Sequence, residues 1–291
     1  MTARESSLSL VETALAVGPA ETPAAAATPG RRGWAWGGGW GWLIGLALPV
    51  TVALGWEAAV ALGWTDGRLL PPPSRIAATF VHLAASGVIF EHVTATLKRV
   101  MLGFALGVAA GTLFGAFTGY SSLACRVLDP TLQALRSIPS IAWVPLFILW
   151  FGIFETSKVL LIAAGVFFPI YLALAGAIRN VDRKLVEVGR IFRFTPVEMV
   201  TRILLPATLP SYVIALRAGL GLGWMFVVAA EFMGASEGLG FLLVDGQMTG
   251  RPDIIVASII IFAVLGKTTD WLLACGLAPL LRWQDSFKPA G

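Results

Sequence analysis

The sequence predicts an all-α integral membrane protein with six transmembrane helices, and three observations carry that reading. Hydrophobic residues make up 57% of the chain and charged residues only 13%, whereas soluble domains carry about a quarter charged residues. Uncharged runs separate Arg32 from Glu57, Arg99 from Arg126, Arg136 from Glu155 and Lys158 from Arg179, and about 20 apolar residues in a helix cross roughly 30 Å of hydrocarbon. Two further apolar segments, 210–233 and 254–276, are interrupted by Arg217 and, near its end, Glu231 in the first and by Lys267 and Asp270 in the second. The spans fall near 42–62, 100–119, 137–153, 159–178, 210–233 and 254–276 within a membrane domain of residues 34–283.

Residues 1–33 are rich in Ala, Thr, Pro and Ser and have no long apolar run. They are expected to form a disordered tail rather than a cleaved signal peptide, and 284–291 form a second short tail. The net charge of +4 does not describe a nucleic-acid surface, because the basic residues sit in short loops instead of on one face. Sorted across six spans, Arg4, Arg31, Arg32, Arg126, Arg136, Arg179, Arg183, Lys184, Arg190, Arg193, Arg202, Arg282 and Lys288 share one side. The smaller set of Arg68, Arg75, Lys98, Arg99, Lys158 and Arg251 lies on the other. Basic loops favour the cytoplasm, so both termini are expected inside.

The first span follows Trp34, Trp36, Trp40 and Trp42, aromatic residues of the kind that settle at a membrane interface. Residues 63–92 contain Pro71, Pro72 and Pro73 and then the amphipathic set Ile76, Phe80 and Leu83, expected as an outer loop with a short helix on the membrane surface. Gly103, Gly107, Gly111, Gly115 and Gly119 repeat every fourth residue in the second span. That spacing lets another backbone approach closely, so these five are expected to form a helix-packing face.

Pro139 and Pro145 imply a kink or a broken start in the third span, which either lines a pathway or serves packing alone. Trp143 stands between them. The fourth span carries Pro169 in a similar role. Segment 179–209 is the most polar long stretch after the tail, with Leu185, Val188, Ile191 and Phe192 at helical spacing among charges and Pro196 interrupting them. It is expected as two short helices facing the cytoplasm, with Pro206 and Pro210 closing it before the fifth span.

Within that segment, Glu187, Val188 and Gly189 are followed by Ile203, Leu205 and Pro206. This pattern resembles the EAA loop of permeases in ATP-binding cassette importers: Glu-Ala-Ala, a later Gly, then Ile-x-Leu-Pro. Val188 and Gly189 replace the two alanines, and Arg193 stands where glycine is usual. The runs 133–145 (QALRSIPSIAWVP), 180–184 (NVDRK), 229–231 (AAE) and 238–240 (GLG) look like the nitrate, taurine and aliphatic sulfonate importers, the last most closely.

The resemblance implies a type I importer-like permease working as a homodimer in the bacterial plasma membrane. Two ATPase subunits would carry ATP and Mg, an external solute-binding protein would deliver cargo, and the permease would bind no cofactor or metal itself. It also implies that Glu187, Val188, Gly189, Arg190, Arg193, Ile203, Leu205 and Pro206 couple to the ATPase through a docking helix.

Trp143, Arg217, Glu231 and Lys267 are candidates for the transport path. Charges in a membrane normally face a bundle interior or a wet cavity. Arg217 or Lys267 would then balance an anion in transit, or else Lys267 pairs with Asp270 one turn away. The loop after Glu231 either receives the solute-binding protein or only connects spans.

Cys125 and Cys275 lack metal-ligand spacing and suit packing. Gly266-Lys267-Thr268 imitates the end of a phosphate-binding loop, but Ile261 stands where that motif needs glycine, so no ATPase activity is expected of the chain. An ion-coupled carrier would need mid-membrane carboxylates or repeats. An intramembrane enzyme would need a buried constellation, and His82 and His92 are both expected in the outer loop.

Overall fold

A computed structural model describes residues 41–139, 142–232 and 234–281. The chain divides into two compact units, Met1–Leu48 with Ser286–Gly291, and Pro49–Asp285. Of the first, only the opening turns of helix α1 (Gly41–Ala61) are described. The two expected tails lie outside the described residues.

The second unit is built of helices and the loops between them, with no strand among its described residues. After α1 come α2 (Pro73–Ala85), α3 (Val88–Tyr120), α4 (Ser122–Ser137), α5 (Trp143–Phe151) and α6 (Glu155–Arg179). These lead to α7 (Arg183–Ile191), α8 (Pro196–Met199), a π-helical turn Val200–Leu204, α9 (Leu205–Phe232), α10 (Leu239–Met248) and α11 (Pro252–Leu277). By length and composition, four helices among the described residues are long and apolar enough to cross a membrane: Val88–Tyr120, Glu155–Arg179, the run Pro196–Phe232 and Pro252–Leu281. They correspond to the second, fourth, fifth and sixth expected spans, and α1 with its 21 residues lies over the first.

The third expected span is not one helix. α5 has only nine residues, and α4 climbs towards it along α6. Near the coupling-segment end of α6, Arg179 donates to Cys125 Sγ at 3.1 Å; further along, Tyr171 donates to Asp129 at 2.6 Å. α5 continues past the other half of α6, where Val144 packs with Leu161. The break falls around Pro139, whose ring removes a helical donor and restricts Ile138 to the extended region in which it lies (φ −74°, ψ 124°). Segment 122–137, which falls between two expected spans, is a separate helix held against α6.

Two other expectations change. α3 has 33 residues and begins at Val88, so His92, Lys98 and Arg99 are helical and not part of an outer loop. α2 buries Ile76, Thr79 and Leu83, with Leu83 packing on Leu239, Leu242, Ile254 and Ile261. Thr79 donates to Asp253 at 2.7 Å. Only Phe80 of the expected surface set points outward (43% exposed). Glu57 of α1 accepts from the Ser74 amide (3.0 Å) and hydroxyl (2.7 Å) and so fastens the start of α2.

The centre is the pairing of α3 with α6 along the glycine stripe, and all five glycines of the stripe face α6. A methyl at Gly103 would stand 2.5 Å from Ile162 Cγ2, and one at Gly107 would stand 2.6 Å from the Ala163 carbonyl oxygen and 2.7 Å from Val166 Cβ. At Gly111 it would stand 2.9 Å from the Phe167 carbonyl oxygen, at Gly115 3.0 Å from the Tyr171 carbonyl oxygen and at Gly119 2.9 Å from Ile178 Cβ. The first four are buried. Gly119 is only half-buried, because it lies one residue before the end of α3, where the contact opens.

Lipid offers no hydrophobic incentive for helices to pair, so close packing must supply the attraction. An adjoining face of α6 meets α9, with Gly165 beneath the Phe226 ring and Ile162, Val166 and Ile170 fully buried among the three helices. We expect Gly107→Val to lower the thermal stability of the detergent-solubilised protein by about 1–3 kcal/mol through overpacking. Gly55→Ala, where a methyl meets nothing within 4 Å, leaves it unchanged or slightly higher.

Candidate coupling segment and transport groove

Segment 179–209 folds as a compact hook between α6 and α9. Asp182 caps α7 by accepting from the Lys184 amide at 2.9 Å. Thr195 and Glu198 form a reciprocal capping box around α8, with Pro196 at its first position. Between these helices Arg193 adopts φ +52°, the left-handed conformation that costs a residue with a Cβ about 1–2 kcal/mol. This accounts for glycine being usual at that position in the pattern. The turn closes through Arg193 N–H to the Arg190 carbonyl (3.0 Å) and Phe194 N–H to the Gly189 carbonyl (3.0 Å).

Gly189 faces inward, where a methyl would stand 2.7 Å from Ile203 Cδ1 and from Met199 Cε; even alanine there would push into the hook. Met199 and Leu204 in turn pack on Leu174 and Ile178 of α6. Outward, Glu187 and Arg190 are exposed beside an apolar set of Leu185, Val188, Ile191 and Phe192, between 45% and 78% exposed. Ile203 and Leu205 are half-buried and Pro206 exposed. The prolines do not end the segment as expected. Pro206 has no N–H for the fourth residue back, and the preceding turn widens so that the Leu205 N–H reaches Val200, after which α9 runs on through Pro210.

At the other end of α6 lies a buried ionic network. Arg99, 2% exposed, donates through Nε and Nη2 to Glu155 (2.6 and 2.8 Å) and through Nη1 to Glu231 (2.7 Å) and the Glu237 carbonyl (2.7 Å). Lys158 completes it, donating to Glu155 at 2.8 Å. Glu231 also accepts from Thr96 at 2.8 Å. The first amides of α10 are satisfied from outside the helix: Gly238 by His92 Nδ1 (2.9 Å), Leu239 by Thr96 (2.8 Å) and Gly240 by Glu231 (2.7 Å). A methyl at Gly238 would stand 2.5 Å from the Glu231 carboxyl carbon, which gives the 238–240 run a steric cause.

The four path candidates are not brought together. Glu231 is 1% exposed and closed within this network. Arg217 makes a two-pronged ion pair with Asp270 of α11 (2.8 and 2.8 Å), so the partner of Asp270 is Arg217 and not Lys267, which is exposed. Trp224 donates to Thr269 at 2.9 Å on the same seam. Trp143 lines an open cavity of about 620 Å³ between α6 and α9, with Arg136, Phe168, Leu172, Met225 and Phe226 among its other walls. A second cavity of about 520 Å³ shares Leu172 and continues towards Asn180, Asp182 and Ser211 at the hook. Together they form a track along one face of α6 and α9.

Residues 107–275 match the family described as binding-protein-dependent transport system inner membrane components. The chain is 40% identical over 260 residues to a Bacillus subtilis protein named as an aliphatic sulfonates transport permease, SsuC, covering 89% of this chain and 92% of that one. It is 36% identical to the Escherichia coli SsuC (82% and 91% covered) and 30% identical to the Escherichia coli taurine transport system permease TauC (81% and 90%). In fold it is similar to a chain of the MetNI methionine ABC transporter, solved in inward-facing conformations, with a TM-score of 0.59, 20% identity and coverage of 66% of this chain and 95% of that one.

Two outcomes follow from these geometries. Glu231→Ala leaves Arg99 its Glu155 pair but removes the acceptor of the buried Gly240 amide and of Thr96, and is expected to destabilise the folded protein by about 1–3 kcal/mol, read as thermal unfolding in detergent. Arg193→Gly is expected to fold at least as well as the parent, whereas Arg193→Val, a branched side chain at positive φ, loses about 1–2 kcal/mol in the same assay.

Proposed function

The chain belongs to the family of binding-protein-dependent transport system inner membrane components, and from that membership we propose how this permease of an ATP-driven importer is assembled and what it carries. The family makes it a multi-pass inner-membrane protein. In our reading two copies form a homodimer in the lipid bilayer with the track between them, both termini face the cytoplasm, and a solute-binding protein delivers cargo at the end bearing Arg99 and Glu231. ATP and Mg are held by two separate ATPase subunits, and this chain binds neither.

The observation that carries the coupling role is the exposed apolar set on α7 and the following turn, on a hook whose inner side is locked to α6. Four large apolar side chains presented to an aqueous compartment are costly unless a partner covers them. A short helix with this composition suits a groove in a soluble ATPase, with Glu187 and Arg190 at the rim. Because the hook joins α6 to α9 directly, a displacement of α7 is carried into both walls of the track.

The cargo follows from the relatives. Similarity to two SsuC proteins supports aliphatic sulfonates, and the more distant TauC keeps taurine as the second reading; nitrate is the third. In proteoliposomes containing the permease, its ATPase and the loaded solute-binding protein, uptake of a labelled alkanesulfonate is expected to depend on ATP. Excess unlabelled alkanesulfonate should suppress it more than equal taurine or nitrate, and equal suppression by nitrate would refute the sulfonate reading. Phe192→Asp is expected to weaken ATPase binding by about tenfold or more, with uptake falling in parallel; unchanged binding would refute the docking role.

A further inference from the structure

Several ionisable groups within the long helices are matched by opposite charges, whereas Glu91, Lys98 and Lys267 form no salt bridge among the described residues. Arg99 has Glu155 and Glu231, Lys158 has Glu155, Arg217 has Asp270 and Asp253 has Arg251. Arg136 differs. It is exposed in the last turn of α4, just before the break at Pro139, and among the described residues its side chain makes one bond, a long 3.4 Å contact to neutral Gln133. It lines the 620 Å³ cavity beside Phe168, Pro169 and Leu172, residues midway along α6. Among the described residues lining that cavity it is the only charged one, and the other walls are apolar, Trp143, Met225 and Phe226 among them. The bonds of Asp129 to Tyr171 and of Cys125 to Arg179 fix α4 against α6, which sets the depth of Arg136.

We propose that Arg136 is the anion-binding residue of a mid-membrane transit site, holding the head group of an amphiphilic organic anion whose hydrocarbon part lies along Trp143, Phe168 and Met225. This rests on the sulfonate reading above and names the residues that would enforce it. A guanidinium offers a planar fork of donors to two oxygens of a sulfonate. A cavity of this size lies in the range of small-ligand sites, roughly 300–1,000 Å³, and its apolar walls favour a cargo with a tail over a bare inorganic oxyanion. A zwitterion fits poorly, because its ammonium finds no carboxylate in the cavity. One cation at mid-depth attracts an anion without trapping it, as passage requires.

The test uses the complete reconstituted importer and labelled octanesulfonate, ethanesulfonate and taurine. Arg136→Gln is expected to lower octanesulfonate uptake by about tenfold or more while the permease pair stays assembled on size exclusion and ATP hydrolysis stimulated by the loaded binding protein persists. Arg136→Lys should restore part of the uptake. Met225→Ser, at a side chain 69% exposed, should reduce octanesulfonate transport more than ethanesulfonate transport. Parental uptake by Arg136→Gln would overturn the proposal, and so would dispersal of the pair, which would make the cavity a seat for the second copy. If the unmodified complex imports no organic anion, the sulfonate reading fails and this site falls with it, an outcome distinct from an active importer indifferent to Arg136.

Discussion

Everything in the fold is arranged around the contact of α3 with α6, where two backbones approach so closely that a single methyl group has no room. Glycines one turn apart remove the side chains that would hold the helices apart, and the backbone carbonyls of Ala163 and Phe167 fill the space. In lipid this is a direct source of attraction, because no water is released when apolar surfaces meet. A rigid pair results, and α9 completes a core by covering an adjoining face of α6 with Val227, Leu220 and Phe226. The remaining face of α6 is then free to wall the track.

α6 therefore reaches every functional part of the molecule. One end enters the Arg99 network through Glu155 and Lys158, its middle walls the cavity containing Arg136, and its other end leads within four residues into α7. Burying a guanidinium is costly unless its donors are used, and Arg99 uses them on carboxylates from two other segments and on a carbonyl. The network also supplies acceptors for the start of α10, so α3, α6, α9 and α10 are joined at one point. The hook offers the contrasting end, with exposed apolar residues and a left-handed turn. Under the proposed coupling, rigidity at the first end turns motion at the second into a change in the width of the track.

Much of this was legible in the sequence where the signal is local. The four-residue glycine period from Gly103 to Gly119 needs only helical geometry to be read as a packing face, and the polar hook stands out because charges return between apolar runs. The ionic network was not legible, since Arg99, Glu155, Glu231 and residues 237–240 meet only through tertiary structure. Counting uncharged runs placed Arg99 in a loop, although His92, Thr96 and Arg99 recur at the spacing of one helix face and were its one local sign. Lys267 was preferred as the partner of Asp270 because it is one turn away. Arg217, 53 residues distant, has the better geometry because α9 and α11 lie side by side.

The break at Pro139 shows how local chemistry and the proposed function converge. Pro139 ends α4 on steric grounds alone, and the last carbonyls of the helix are left without intrahelical partners. Such backbone is tolerated where it is buried in protein or lines a cavity, and here the break opens onto the cavity between α6 and α9. The negative end of the α4 dipole favours a basic residue in the last turn, which is where Arg136 stands. The same proline that interrupts the helix thus creates the site at which a cation is stabilised by backbone and still faces open space. A helix running uninterrupted through position 139 would offer neither the terminal dipole nor the opening.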